Sequence, residues 1–149
     1  MDEDGDIDLA DLAGFQNRLT GDGLTQPRIE NSSHSGCLRG TRVDSKGNVP
    51  YPCEDEAFYF AAEDGRLHIV HENTVHDCCV EDLAATLSID GNVLSLCERG
   101  TTPIPCDCIC CFNVETTVVD LAPGAYTVEY CTYWCGEGAE CHVEEIMIP

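Results

Sequence analysis

The sequence predicts a mainly β fold, a disulfide-rich antiparallel β-sandwich, and two observations carry that expectation. From Glu56 onward, short runs rich in Val, Ile, Thr, Tyr and Phe alternate with turn residues, the pattern of half-buried strands joined by tight turns. The 149 residues also hold 12 cysteines, an even number at a density close to that of disulfide scaffolds. With 43% hydrophobic residues, a chain of this length suits one packed domain plus a short appendage.

The appendage comes first, in residues 1–21. Asp2, Asp4, Asp6, Asp8 and Asp11 are set around Gly5 and Ile7. A twelve-residue calcium loop places oxygens at positions 1, 3, 5, 7, 9 and 12, with Gly at 6 for the sharp turn. Putting Gly5 at position 6 sets Asp2 at 3, Asp4 at 5, the Asp6 carbonyl at 7, Asp8 at 9 and Asp11 at 12. Position 1 then falls just before Met1. Leu9, Leu12, Phe15 and Leu19 recur at helical spacing, and Thr20-Gly21 closes the helix with a C-cap glycine. The amino terminus is acidic rather than basic then apolar, so it is no signal peptide, and the numbering is expected to begin inside a longer precursor. Residues 2–21 resemble one half of a dockerin type I module, an EF-hand-like unit, including Asp in place of Glu at loop position 12. The resemblance implies calcium as the cofactor, held by Asp2, Asp4, Asp6, Asp8 and Asp11. It does not carry over a cohesin partner, because no second half follows: Asp64-Gly65 and Asp90-Gly91 lack the preceding alternating acids and read as hairpin turns.

Residues 22–55 read as a linker or arm. They are polar and turn-rich, with Gly21-Asp22-Gly23, Ser45-Lys46-Gly47-Asn48 and Pro50-Tyr51-Pro52, and one extended stretch near Arg28 to Glu30. Asn31-Ser32-Ser33 is an N-glycosylation triplet, which makes Asn31 a candidate acceptor. Residues 56–149 form the cysteine-rich sandwich. Strands are expected over residues 57–61, 66–70, 84–89, 93–98, 110–119, 125–133 and 143–148, with turns at Asp64-Gly65, Asp90-Gly91-Asn92 and Pro123-Gly124. Such spacing without an intervening helix argues for a sandwich. Leu121-Ala122-Pro123-Gly124-Ala125-Tyr126-Thr127-Val128 resembles the corner of immunoglobulin-like and prealbumin-like sandwiches, and the resemblance implies that architecture.

Two clusters carry the remaining chemistry. One is His68, His71 and His76 running into Cys78-Cys79, and the other is Cys106-Asp107-Cys108-Ile109-Cys110-Cys111. These side chains are soft enough for zinc or copper(I). On a strand, Cys106, Cys108 and Cys110 line one face while Cys111 points to the other, which suits thiolate clustering and disulfides equally. The Cys-x2-Cys knuckle of structural zinc sites is missing, so disulfides are the first reading, and a soft-metal site using His68, His71, His76, Cys78, Cys79, Cys106, Cys108 and Cys110 is the alternative. Cys135 with Cys141 is the expected local clip, and Cys37 with Cys53 a second. The core is also similar to small cysteine-rich sandwich domains of bacterial lipoproteins and secreted proteins, a likeness that implies compartment and fold without an activity.

Charge bounds the partners. Twenty-eight Asp and Glu against seven Lys and Arg give a formal net charge of −21, which repels nucleic acid and anionic membranes. No segment approaches the run of apolar residues needed to span a membrane. Catalytic motifs such as Gly-x-Ser-x-Gly, His-Glu-x-x-His and phosphate loops are absent from the sequence. The expectation is therefore a non-enzymatic extracellular or cell-surface structural subunit, a homo-oligomer or polymer joined through the amino-terminal arm, with calcium as its cofactor. A carbohydrate-binding or adhesion module, with a glycan stacked on Trp134, Tyr133, Tyr130 and Tyr126, is a further alternative.

Overall fold

Alternation of apolar and polar side chains decides which face of each strand turns inward, and nine strands result among the described residues. The computed structural model describes residues 25–42, 47, 53–104, 106–132, 135–136 and 138–149; the calcium loop and helix expected over residues 1–21 lie outside them. The strands are β1 (Arg28–His34), β2 (Arg39–Arg42), β3 (Ala57–Glu63), β4 (Arg66–Asp77), β5 (Asp82–Asp90), β6 (Val93–Thr101), β7 (Cys108–Val119), β8 (Gly124–Thr132) and β9 (Cys141–Ile148). One sheet has the order β1-β7-β4-β3, with β2 also paired to β7; the other is β5-β6-β8-β9. All pairings are antiparallel except β6 with β8.

The strands expected from the sequence appear as β3 to β9. Within the stretch read as linker, residues 28–34 and 39–42 pair along one edge of β7. β1 and β2 are polar, and what recruits them is the unpaired side of the long β7 ladder rather than a hydrophobic pattern of their own.

Leu67 and Ile69 from β4 and Val118 from β7 meet Leu94, Leu96, Val128, Tyr130 and Ile148 from the opposite sheet. Full burial of each aliphatic side chain stabilises by about 1.5–3 kcal/mol. Two-residue turns set the register of two hairpins: Gly65 at φ 66° between β3 and β4, and Gly91 at φ 57° between β5 and β6. The Tyr126 hydroxyl donates to the Ala122 carbonyl at 3.0 Å, pinning the corner that leads into β8. The sandwich closes differently at its two sides. Between β1 and β5, the Ala85 N–H donates to Ser32 Oγ at 2.9 Å. Between β3 and β9, the His142 ring stacks on Phe58 and Phe60, with centroids 4.4 and 5.6 Å apart.

All twelve cysteines are paired, as Cys37–Cys110, Cys53–Cys111, Cys78–Cys108, Cys79–Cys106, Cys97–Cys135 and Cys131–Cys141. Both local clips expected from spacing are corrected. Cys141 lies in register with Cys131 across β8 and β9, Cα to Cα 4.2 Å, so it bonds across the ladder, and Cys135 reaches Cys97 on β6 instead. Cys37 and Cys53 do not meet, because consecutive Cys110 and Cys111 face opposite sides of β7 and each draws one of them. Six disulfides place the folded chain in an oxidising compartment. No helix among the described residues is long and apolar enough to cross a membrane.

Peptide mapping under non-reducing conditions should recover Cys97–Cys135 and Cys131–Cys141 and no Cys135–Cys141 peptide. Serine at both Cys97 and Cys135, whose bond spans a separation of 38 residues, should cost about 4 kcal/mol in denaturant unfolding. The same change at Cys131 and Cys141, with a separation of 10, should cost about 3 kcal/mol.

Candidate functional site

The most unusual group in the core is a carboxylate. Leu94, Leu96 and Glu98 alternate on the inward face of β6, so Glu98 is carried between the sheets with no exposure to solvent. Four donors meet it. His71 Nδ1 and the Tyr130 hydroxyl each donate to Oε2 at 2.8 Å, and Thr74 Oγ1 and His76 Nε2 each donate to Oε1 at 2.8 Å. An ionised carboxylate has about four lone-pair sites, so this one is fully satisfied.

A β-bulge makes the convergence possible. The register of β4 against β7 shifts between His71 and Thr74, with Asn73 at φ 58°. The Asn73 N–H donates to Asn113 Oδ1 at 3.1 Å, and its side-chain amide donates to the Asp55 carbonyl at 3.2 Å. The extra residue flips the parity of the strand. His71 faces inward before the bulge, and Thr74 and His76 face inward after it. Without the bulge, His71 and His76, five residues apart, would point to opposite faces of β4.

The charge state follows from counting donors. The other ring nitrogen of His71, Nε2, lies 2.8 Å from Glu56 Oε1. Both ring nitrogens face carboxylates, and only the imidazolium has two N–H groups to give them. Burial alone would lower the His71 pKa; hydrogen bonds and charge from Glu98 and then Glu56 outweigh it and raise the value above its ordinary 6.5. For Glu98, burial pushes the carboxyl up, but the hydrogen bonds from His71 and His76, the His71 charge and the Thr74 bond prevail and lower it from 4.5 to about 2. Burial, followed by the adjacent Glu98 charge, holds the Tyr130 hydroxyl firmly protonated. Phe58 stacks on His71 with centroids 4.0 Å apart, covering the cation with an aromatic face. The assembly is an electrostatic clamp between the two sheets, buried at Glu98 and His71 and reaching solvent at Glu56.

The soft-metal candidates are distributed over three places. His68 lies on the opposite face of β4, its Nδ1 3.1 Å from Thr117 Oγ1. His71 and His76 are committed to Glu98. Cys78, Cys79, Cys106, Cys108 and Cys110 gather at one end of the sandwich, all in disulfides. There the Asp77 carboxylate accepts the N–H of Cys79 at 2.7 Å on Oδ1 and that of Cys106 at 3.1 Å on Oδ2. Tyr130 is 1% exposed and belongs to the core, so it offers no stacking face to a sugar; Tyr133 and Trp134 lie outside the described residues. Asn31 is an exposed position of β1. Asp2, Asp4, Asp6, Asp8 and Asp11 lie outside the described residues. Glu98 and Glu56 were not singled out by sequence reasoning, although an acid at the third inward position of an apolar strand was the available sign.

Comparison with protein-family models, curated proteins and solved structures finds no match to the chain.

The clamp sets a pH window. Glu98, depressed in the folded chain, contributes stability present above 4.5 and lost as pH falls toward about 2. His71, raised in the folded chain, contributes stability present below 6.5 and lost as pH rises through its folded value. Thermal unfolding should therefore show its broadest contribution from this pair between pH 4.5 and 6.5. Glu98→Gln should flatten the acid limb and cost about 3–5 kcal/mol, because His71 keeps its charge without its buried partner.

Proposed function

We propose that the chain is a non-enzymatic extracellular structural subunit, in which a calcium-binding arm over residues 1–21 and the disulfide-stapled sandwich join head to tail into a filament or surface layer. The observation that carries the reading is the pair of outer strands β3 and β9, each ending its sheet. An outer strand offers one row of backbone N–H and C=O groups to an added strand. Tyr59 on β3 and Val143 and Met147 on β9 are exposed, so apolar contacts accompany the backbone groups on this side of the molecule. On the opposite side, the terminal strands β1 and β5 are tied to each other by the bond from Ala85 N–H to Ser32. A contact between the arm of one subunit and the edge of the next is heterologous, and without ring closure it propagates as a fibre.

Two further features fit this reading. Six disulfides suit a subunit exposed to an oxidising exterior. Calcium at Asp2, Asp4, Asp6, Asp8 and Asp11 would neutralise part of the −21 net charge at the junction and stiffen it.

Electron microscopy and light scattering of the full chain with calcium test this. Extended polymers are expected, shortened or dispersed by EDTA. Val143→Lys, a change at an exposed edge position, should abolish polymers while shifting monomer stability by no more than about 0.5 kcal/mol. A monodisperse monomer at all calcium concentrations overturns the reading.

A further inference from the structure

Two disulfides are stacked at the end of the sandwich where β2, β4 and β7 meet. Gly40 and His76 flank Cys110 in the ladder; Cys78, just past the end of β4, and Cys108 on β7 lie next to them, the Cys78 N–H donating to the Cys108 carbonyl. The sulfurs of Cys37, Cys78 and Cys110 all lie within 4.8 Å of one another, although only Cys37 and Cys110 are bonded among them. The fourth sulfur, of Cys108, is bonded to Cys78. We propose that Cys37, Cys78, Cys108 and Cys110, once their two disulfides are reduced, form a four-thiolate site for a thiophilic closed-shell ion, Cu(I) or Zn(II). The site is independent of the assembly reading.

Dimensions favour it. Metal–thiolate bonds of about 2.3 Å place ligand sulfurs about 3.8–4.0 Å apart around a tetrahedral or trigonal ion. The sulfurs of Cys37, Cys78 and Cys110, within 4.8 Å of one another, stand close to that spacing, the Cys108 sulfur is brought alongside by its bond to Cys78, and the bonded pairs need only separate to van der Waals spacing. Space is provided by Gly40: a Cβ there would sit 3.5 Å from the Cys37 sulfur and 3.6 Å from those of Cys110 and Cys78. The missing side chain therefore leaves open the ground shared by all three. Leu83, Phe112, Val114 and Val80 pack around Cys110 and Cys78, an apolar wall that suits a soft ion and excludes water. Cys37 is exposed while Cys110 is fully buried, so a reductant has an entry side and the metal an interior one. The neighbouring group of Asp77, Cys79 and Cys106 is a poorer cage, since both Asp77 oxygens already accept backbone N–H groups.

The conversion balances with a small-molecule dithiol as reductant. For each disulfide, a reductant thiolate attacks one cysteine sulfur and expels the other as thiolate; the second thiol of the reductant then displaces the mixed disulfide. Two electrons and two protons pass to the cysteines, and the dithiol leaves as its cyclic disulfide. Metal binding then releases the thiol protons to solvent. Backbone pairing of β2 and β4 with β7 is what holds the strands in place once the chain is reduced.

The test titrates the full chain, reduced with dithiothreitol and desalted without oxygen, against Co(II) as an optical probe, then by competition against Zn(II) and against Cu(I) held by a chromophoric chelator. One equivalent is expected with the charge-transfer band of four thiolates, and none in the oxidised chain. Serine at both Cys37 and Cys110 should weaken that equivalent by more than about a hundredfold, beyond the loss of an outer-shell partner, and serine at both Cys97 and Cys135 should leave it. Gly40→Val, which keeps every cysteine, should form all its disulfides when oxidised yet lose the equivalent when reduced. Binding unchanged by the Cys37 and Cys110 pair overturns the proposal, as does a reduced chain that loses its β circular dichroism and takes up no ion. The two competitions separate a copper site from a zinc site.

Discussion

The hydrogen bonds that converge on Glu98 join three strands from both sheets at one buried carboxylate. β6 supplies the carboxylate, β8 the Tyr130 hydroxyl, and β4 His71, Thr74 and His76. A buried carboxylate with any of these donors missing would lose several kcal/mol, so the two sheets have little freedom to slide past one another. The constraint also explains the bulge in β4. Asn73 adopts a left-handed conformation, which costs a non-glycine residue free energy, and the bonds it donates to Asn113 and Asp55 offset it. The strained residue is what turns both halves of β4 toward the same acid.

Disulfides act on a different problem. A chain carrying −21 charges repels itself, and the sandwich has an ordinary aliphatic core over only part of its length. Near the β2, β4 and β7 end, the exposed Cys37 is bonded to the buried Cys110, and Cys78 to Cys108, beside a small apolar cluster around Leu83 and Phe112. Covalent bonds there take the place of side-chain volume. The same crowding of sulfur that closes this end also brings three of those atoms within a metal ion's reach.

Much of the fold was legible in the chain. Period-two alternation located β3 to β9, Gly65 and Gly91 marked their hairpins, and the even cysteine count anticipated an oxidised scaffold. β1 and β2 were far less so: Arg28 to His34 and Arg39 to Arg42 are polar segments, and they are strands because β7 has an edge for them. Disulfide partners were misread for a related reason. Proximity in sequence favoured Cys135 with Cys141, but a strand places its closest neighbour across the ladder, where Cys131 stands. Of the site, the three histidines stand out in the chain, whereas Glu98, which organises two of them, lies 22 residues beyond His76 with no local motif to link them.

By itself, then, the sequence determined the class of fold, the positions of most strands and the redox state the chain requires, because these depend on local alternation, turn chemistry and composition. Tertiary structure alone decided which cysteines bond, which way His71 and His76 face and what Glu98 does between the sheets. Those outcomes depend on register and on one inserted residue at Asn73, and a one-residue shift of register exchanges the two faces of a strand.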